Sequence, residues 1–330
     1  MPQPPVARAV GVRDVAVRAG VSTQTVSRVL NAHPHIRPET RQRVLDAIEA
    51  LGYRVNNAAR ALGTSVTRTI GIIASDASLY GPSVGIAALE RAARAAGRWV
   101  TTAYADAADE DSVLAAAAHL REQGVDAIAV VAAHTGSFAA LVRHGGVAIV
   151  ALHGDATAHR QGAALAVAHL AELGHERIAL LAGPDDWTEA VARERGFDDG
   201  LAARGLVRAG RWRGDWTASA GAAAADEIAG LLGAPGAPTA VFASNDQMAL
   251  GLVAGLRRAG VDVPRQLSVV GFDDNPDAAF YTPALTTVRL DVEAEARRCI
   301  AALLGSADAG ASAPAAPVLV VRESVGPPDA

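Results

Sequence analysis

The 330-residue chain predicts an α/β fold: parallel sheets flanked by helices in two lobes, preceded by a small helix-turn-helix module. Three observations predict it. From residue 69 onward, apolar runs alternate with alanine-rich helical stretches. Before that, three short amphipathic helices crowd into about forty residues. The charge is divided in the same way: residues 1–62 carry nine arginines against four acids, a net of +5, while the whole chain is −5 and the remainder is therefore −10. Such an asymmetry marks an anion-binding module on an acidic body. The length suits about two domains plus a small module.

Residues 1–11 are proline-rich and are expected to form a disordered tail. Val12, Val15, Ala16 and Ala19 then recur at helical spacing, and Gly20 stops that helix. Ser22 can cap a second helix with Val26, Val29 and Leu30 on its inner face. Pro38 opens a third, with Val44, Ala47, Ile48 and Leu51 inward and Gly52 at its end. The segment "NNAARALGT" at 56–64 is weakly helical but too short to hold a helix alone, since isolated helices below ~12 residues are marginal.

In the body, strands are predicted at 69–75, 100–105, 127–133, 147–152, 177–183, 239–244 and 267–272. Helices are predicted at 83–97, 110–123, 161–173, 187–204, 217–232, 246–260 and 291–305. Near-continuous apolar strands alternating with helices mean parallel sheets covered on both faces. Seven strands exceed one small sheet, hence two lobes.

Several classes are excluded. One cysteine, Cys299, allows no intramolecular disulfide and no cysteine-based zinc cluster. No apolar run reaches the ~18–20 residues of a membrane span. The N-terminal stretch is broken by Arg8, Arg13 and Asp14 and is no secretion signal, so a cytoplasmic protein with no membrane partner is expected. All basic residues are arginine, so no lysine-bearing phosphate loop exists. "GPSVG" at 81–85 spells a nucleophile elbow, but its strand ends several residues early, and Ser83 is not expected to be catalytic. The histidines lack metal-ligand spacing. No enzyme activity, metal or cofactor is expected.

The motif "VRDVAVRAGVSTQTVSRVLN" at 12–31 carries the most information. A recognition helix must present polar side chains near its N-terminus to base edges in the major groove. Thr23, Gln24 and Arg28 share one face, opposite Val26, Val29 and Leu30. Gln suits adenine and Arg suits guanine by bidentate hydrogen bonds. Thr25, Ser27 and Asn31 can contact phosphates, which position the module without reading sequence.

This segment resembles the headpiece of the LacI/GalR family of repressors. The similarity continues through "HLAELGHERIALLAGP" (169–184), "RGDWTASAG" (213–221), "SNDQMALG" (244–251) and "SVVGFDDNPDAAFYTPALTTVRLD" (268–291). The resemblance implies a headpiece at 12–55, a hinge helix and linker at 56–67, and an effector-binding and dimerisation core at 68–330. That core would be similar to periplasmic sugar-binding proteins. Its first lobe would comprise about 68–153 and 291–317, and its second about 160–288 with 318–324. The hinge would fold on DNA, with Asn56 and Ala59 at the minor groove and Leu62 wedging a base step.

The resemblance also implies an effector site at Ser75, Leu79, Arg193, Trp216, Asn245 and Asp273. Arg and Asp can each hold two neighbouring sugar hydroxyls, and Trp216 can cover C–H groups of a ring. Other readings stay open: Asn245 and Asp273 as helix caps, Trp216 as core, Arg193 paired with Glu189 or Glu194. His153 stands where the family places a ligand-side carboxylate, Val292 where it has phenylalanine and Leu290 where it has glutamine. The crossover after Leu152 is short by several residues. A galactoside is the effector the resemblance favours.

The resulting expectation is a sequence-specific DNA-binding repressor controlled by a small sugar. Two headpieces would meet a pseudo-palindromic DNA operator, and the absence of the family's tetramerisation tail implies a homodimer. The alternatives are an activator or corepressor-dependent regulator of the same family, or a sugar-binding transport protein.

Overall fold

The computed structural model describes residues 10–30, 33–53, 66–144, 146–154, 156–306 and 315–328. It divides into two compact units between Thr67 and Arg68.

The N-terminal unit holds three helices: α1 (Val12–Ala19), α2 (Thr23–Leu30) and α3 (Pro38–Leu51). Their bounds follow local chemistry. The Asp14 carboxylate accepts from the Gly11 N–H at 2.8 Å, closing the first turn of α1. Gly20 leaves α1 in the left-handed region at φ 64°, where a side chain would be strained. Ser22 Oγ accepts the Thr25 N–H at 3.1 Å and so caps α2. Val15, Ala16, Ala19, Val26, Val29, Val44, Ala47 and Tyr53 form the buried centre. The expected hinge, with Asn56, Ala59 and Leu62, lies outside the described residues, as does Asn31.

The larger unit is built on two sheets. The first contains β1 (Thr69–Ala74), β2 (Trp99–Tyr104), β3 (Ala127–Val131) and β4 (Ala148–Ala151), in the order β2-β1-β3-β4 and wholly parallel. Helices α4 (Tyr80–Ala95), α5 (Glu110–Glu122) and α6 (Thr135–His144) connect its strands. The chain then crosses into α7 (Thr157–Glu172) and a second sheet. Its strands are β5 (Ile178–Ala182), β6 (Arg211–Arg213), β7 (Ala240–Ala243), β8 (Ser268–Phe272), β9 (Thr286–Arg289) and β10 (Val318–Val320), in the order β10-β9-β8-β7-β5-β6. Only β10 is antiparallel. Helices α8 (Thr188–Ala202), α9 (Ala218–Leu231) and α10 (Asp246–Arg258) connect this sheet, while α11 (Val292–Leu303) packs in the apolar cluster of the first.

The α/β fold with a helix-turn-helix module is therefore as the sequence predicts. Each of the seven predicted strands is present, and β3, β5, β7 and β8 are buried at every position. Five short elements were not predicted: α6, β6, β9, β10 and a 3-10 turn at Pro276–Phe280. The three strands are only three or four residues long, and "RWR" and "TTVR" lack the apolar run that signals a buried strand. Their pairing is decided by neighbouring strands. Between β4 and α7 no strand intervenes among the described residues, in keeping with the shortened crossover.

Close helix packing in the second lobe depends on glycine. A Cβ on Gly251 would stand 1.8 Å from the Ala218 carbonyl oxygen, so α9 and α10 meet backbone to backbone.

Candidate functional site

On the N-terminal unit, Thr23, Gln24, Ser27 and Arg28 are exposed along α2, and Val26 and Val29 on the opposite side are buried. Thr25 is half-buried, its hydroxyl 2.9 Å from Ser22 Oγ, so part of its hydrogen-bonding capacity goes to the cap. The helix thus shows a polar face that the module's own core leaves uncovered.

In the larger unit, a cavity of about 550 Å³ lies between the two lobes. Parallel strands explain its position: the ladder ends at the carboxyl edge of each sheet, and the loops there carry the side chains that face the crevice. His153 follows β4, Asn245 follows β7 and Asp273 follows β8. Leu79, Arg193 and Trp216 also line the cavity.

Arg193, on α8, is the hub. Its Nη2 donates to Asp273 Oδ1 at 2.9 Å, its Nη1 to the Ser244 carbonyl, and its Nε to His159 Nδ1 at 3.1 Å. The guanidinium carbon lies 3.9 Å from the centroid of Phe272 and 5.4 Å from that of Trp216. Glu194 does not take Arg193; it pairs with Arg208 and Arg211 instead.

Asp273 caps no helix. It sits at φ 109°, an uncommon conformation, followed by Asp274 at φ 49°. The strained turn is held on both sides. Asp246 accepts from the Asn275 N–H at 2.7 Å and from Thr287 Oγ1 at 2.6 Å, while Asp274 takes Arg322 at 2.6 Å and Arg289 at 3.2 Å. Burial, then the nearby Asp273 charge, pushes the Asp246 carboxyl up to about 8.

Asn245 does cap: its Oδ1 accepts the Met248 N–H of α10 at 2.9 Å, and its Nδ2 donates to the Trp216 carbonyl at 3.0 Å. That second bond holds Trp216 at φ 75°. The indole presses on Gly183, where a Cβ would meet the ring at 2.4 Å, and its edge meets Trp187 at 5.5 Å between centroids. Trp216 is both core and cavity wall.

Ser75 stands apart from the other candidates. Its hydroxyl faces a separate, very small cavity lined by Val113 and Phe138, without a hydrogen-bond partner. Side chains alternate across a strand, and the step from Ala74 to Ser75 turns the hydroxyl to the side of Ile73, away from the crevice. Ser83, the elbow decoy, is an exposed residue in the first turn of α4.

His159, which the sequence does not single out, and Glu189, which it offers only as a possible partner of Arg193, both belong to the wall. His159, on α7, stacks on Phe272 with ring centroids 5.7 Å apart, and His153 meets it edge-on at 4.7 Å. Burial and the adjoining Arg193 hold His153 at about 3, so that ring is neutral. Burial, His153 and Arg193 likewise keep His159 well below its ordinary value. Glu189, in the first turn of α8, is buried, and desolvation lifts its carboxyl to about 7. A lone His and a lone Glu in helical segments carry no sequence signal; only their convergence on Arg193 distinguishes them.

The lobes also meet directly beside the cavity. Tyr80 N–H donates to Gln247 Oε1 at 3.2 Å, Thr188 N–H to the Ala133 carbonyl at 3.0 Å, and His134 Nδ1 lies 3.0 Å from Asp186 Oδ2. Both lobes' apolar clusters reach Trp187.

Residues 11–56 match the model of bacterial regulatory proteins of the lacI family, and residues 167–325 match the periplasmic binding protein-like domain. The chain is 34% identical to the lactose operon repressor of Escherichia coli K12 over 290 residues, covering 84% of this chain and 79% of that protein. It is equally identical to the regulator GalS of Salmonella typhimurium over 331 residues, 95% and 96% of the two chains. The chain belongs to the lacI family. Among solved structures, the lac repressor dimer bound to operator and the anti-inducer ONPF superposes with a TM-score of 0.79 at 29% identity, covering 97% of this chain and all of that one. A complex of the regulator CelR with cellobiose gives 0.65 at 28% identity, covering 96% and 99%. These lacI-family relatives are DNA-binding transcriptional regulators. Among the described residues, no helix is long and apolar enough to cross a membrane.

Proposed function

We propose that this lacI-family regulator is a repressor whose grip on a DNA operator is set by a small, sugar-type effector in the interlobe cavity. The observation that carries the effector reading is the Arg193–Asp273 pair at the cavity wall, with Trp216 beside it. Paired carboxylate and guanidinium groups next to an indole suit vicinal hydroxyls on one side of a ring and C–H groups on its face. Leu79, His153 and Asn245 complete the wall; Ser75 does not reach it. Thr23, Gln24 and Arg28 read bases, with Thr25 and Ser27 on the backbone, and Asn31, Asn56, Ala59 and Leu62 serve the DNA as the resemblance implies. A galactoside is the first effector to try.

The working unit is a homodimer, since two headpieces match a two-fold operator. Trp99 and Tyr104 at the ends of edge strand β2, and Phe280, are exposed apolar side chains that a second copy would cover. The decisive experiment selects an operator from random duplexes with the full chain, then titrates neutral sugars and galactosides into the complex. A sugar that shifts operator affinity supports the reading. Operator binding indifferent to every sugar overturns the effector role, and failure to select any sequence overturns the repressor role.

A further inference from the structure

Three polar atoms in the cavity walls are buried without a hydrogen-bond partner: Glu189 Oε2, His159 Nε2 and Trp216 Nε1. Buried polar groups are nearly always satisfied, so three orphans on residues that line one cavity mark hydrogen-bonding capacity that the walls leave unspent. Their chemistry is specific. His159 Nδ1 accepts from Arg193, so in the neutral ring the proton sits on Nε2, which is a donor. Trp216 Nε1 is a donor only. Glu189, lifted to about 7 by burial, is an anionic acceptor once the pH stands above that value.

The charges of the wall are otherwise committed. Arg193 is engaged with Asp273, Ser244 and His159; Arg289 is held by Asp274. Glu293 is paired with Arg91, and Asp291 caps α11 by accepting the Ala294 N–H at 2.8 Å. Both wall histidines are neutral. Among the described residues, the wall therefore offers no cation without an acidic partner, and Glu189 Oε2 is its buried carboxylate oxygen without a hydrogen-bond partner.

We propose that Glu189 and His159 are specificity-determining residues that select an uncharged, polyhydroxylated ligand and reject its phosphorylated or carboxylated forms. A hydroxyl both donates and accepts, so neighbouring hydroxyls satisfy Glu189 and the two N–H groups together. A phosphate satisfies the N–H groups but stands against Glu189 and Asp273 with no free guanidinium to offset it, and like charges brought together in a desolvated site are strongly rejected. The inference rests on reading the cavity as the sugar site, and it deepens that reading by excluding the sugar phosphates.

The test is calorimetric titration of the full chain at pH 8, where Glu189 is ionised, with neutral monosaccharides, cellobiose and lactose, and with the 6-phosphates of the same monosaccharides. Neutral probes are expected to bind at least about tenfold more tightly than their phosphates, the scale of one repulsive contact. Glu189→Gln, which keeps the shape, is expected to narrow that gap to about threefold or less, whereas Glu189→Asp keeps it. His159→Leu is expected to weaken the neutral sugar about tenfold, and His159→Gln, which restores an N–H donor, to recover most of it. A merely structural role would weaken all probes alike and leave the neutral-to-phosphate ratio unmoved. A phosphate that binds as tightly as its parent sugar, or a ratio unchanged in Glu189→Gln, overturns the proposal. Failure of every probe, neutral and phosphorylated, overturns the sugar reading itself and this inference with it.

Discussion

Arg193 and Asp273 are eighty residues apart in the chain and form an ion pair of 2.9 Å at the wall of the cleft, with side-chain exposures of 8% and 14%. At that burial the pair is costly to break from one side. Arg193→Met is expected to destabilise the core by about 3 kcal/mol, because it leaves Asp273 buried without a counter-charge. Asp273→Asn is expected to cost less, since an amide oxygen still accepts from the guanidinium. Chemical denaturation of both variants measures the order; equal losses would show that the pair is not the source.

Glu189 gives the core a pH dependence of known sign. Its folded-state value, about 7, lies above the ordinary 4.5, so between those two values the folded protein holds a proton there that the unfolded chain has released. The stability contribution is complete below about 4.5 and is lost as pH rises through about 7. Asp246, pushed up to about 8, acts in the same direction over a window reaching slightly higher. Glu189→Gln removes the first component, so its stability relative to wild type is expected to rise by about 2 kcal/mol between pH 5 and pH 8. Thermal unfolding at the two pH values tests this, and parallel curves would contradict it.

Gly183 is held small by the Trp216 ring, which a Cβ would meet at 2.4 Å. Gly183→Ala is expected to cost about 1–3 kcal/mol through overpacking and to weaken sugar binding by displacing the indole. Quenching of tryptophan fluorescence on titration reads the second effect.

Arg28 is exposed on α2, and its removal leaves the buried face of the headpiece intact. Arg28→Ala is expected to lower affinity for a selected operator about ten- to a hundredfold, the worth of one bidentate base contact, with little change on random DNA. Fluorescence anisotropy at fixed salt separates the two. An equal loss on both duplexes would make Arg28 a phosphate contact.

Light scattering is expected to report two chains per particle. Trp99→Arg with Tyr104→Arg places charge on the exposed ends of β2 and is expected to yield single chains. A mass of four chains, or no response to the double variant, would place the interface elsewhere.

The headpiece was legible almost to the residue because its rules are local. Caps, left-handed glycines and a 3.6-residue apolar period act within one turn, and Val12–Ala19, Thr23–Leu30 and Pro38–Leu51 begin and end where those signals stand. The long strands were legible for a similar reason: burial on both faces requires a continuous apolar run, as in Ala127–Val131 and Ile178–Ala182. The sequence by itself thus determined the α/β body, its helix-turn-helix module and the resemblance that named the residues of the cleft.

Tertiary structure alone decided how that cleft is wired. Arg193 reaches Asp273 rather than Glu194, Asn245 holds the Trp216 carbonyl besides capping its helix, and Ser75 faces away from the cavity. His159 and Glu189 become part of the wall only because α7 and α8 pack side by side, and a Cβ on Gly196 of α8 would stand 2.0 Å from the Arg160 carbonyl of α7. Hydrogen bonds between residues thirty to eighty positions apart leave no period and no spacing in the chain, because they depend on where whole elements come to rest, and local rules do not carry that information.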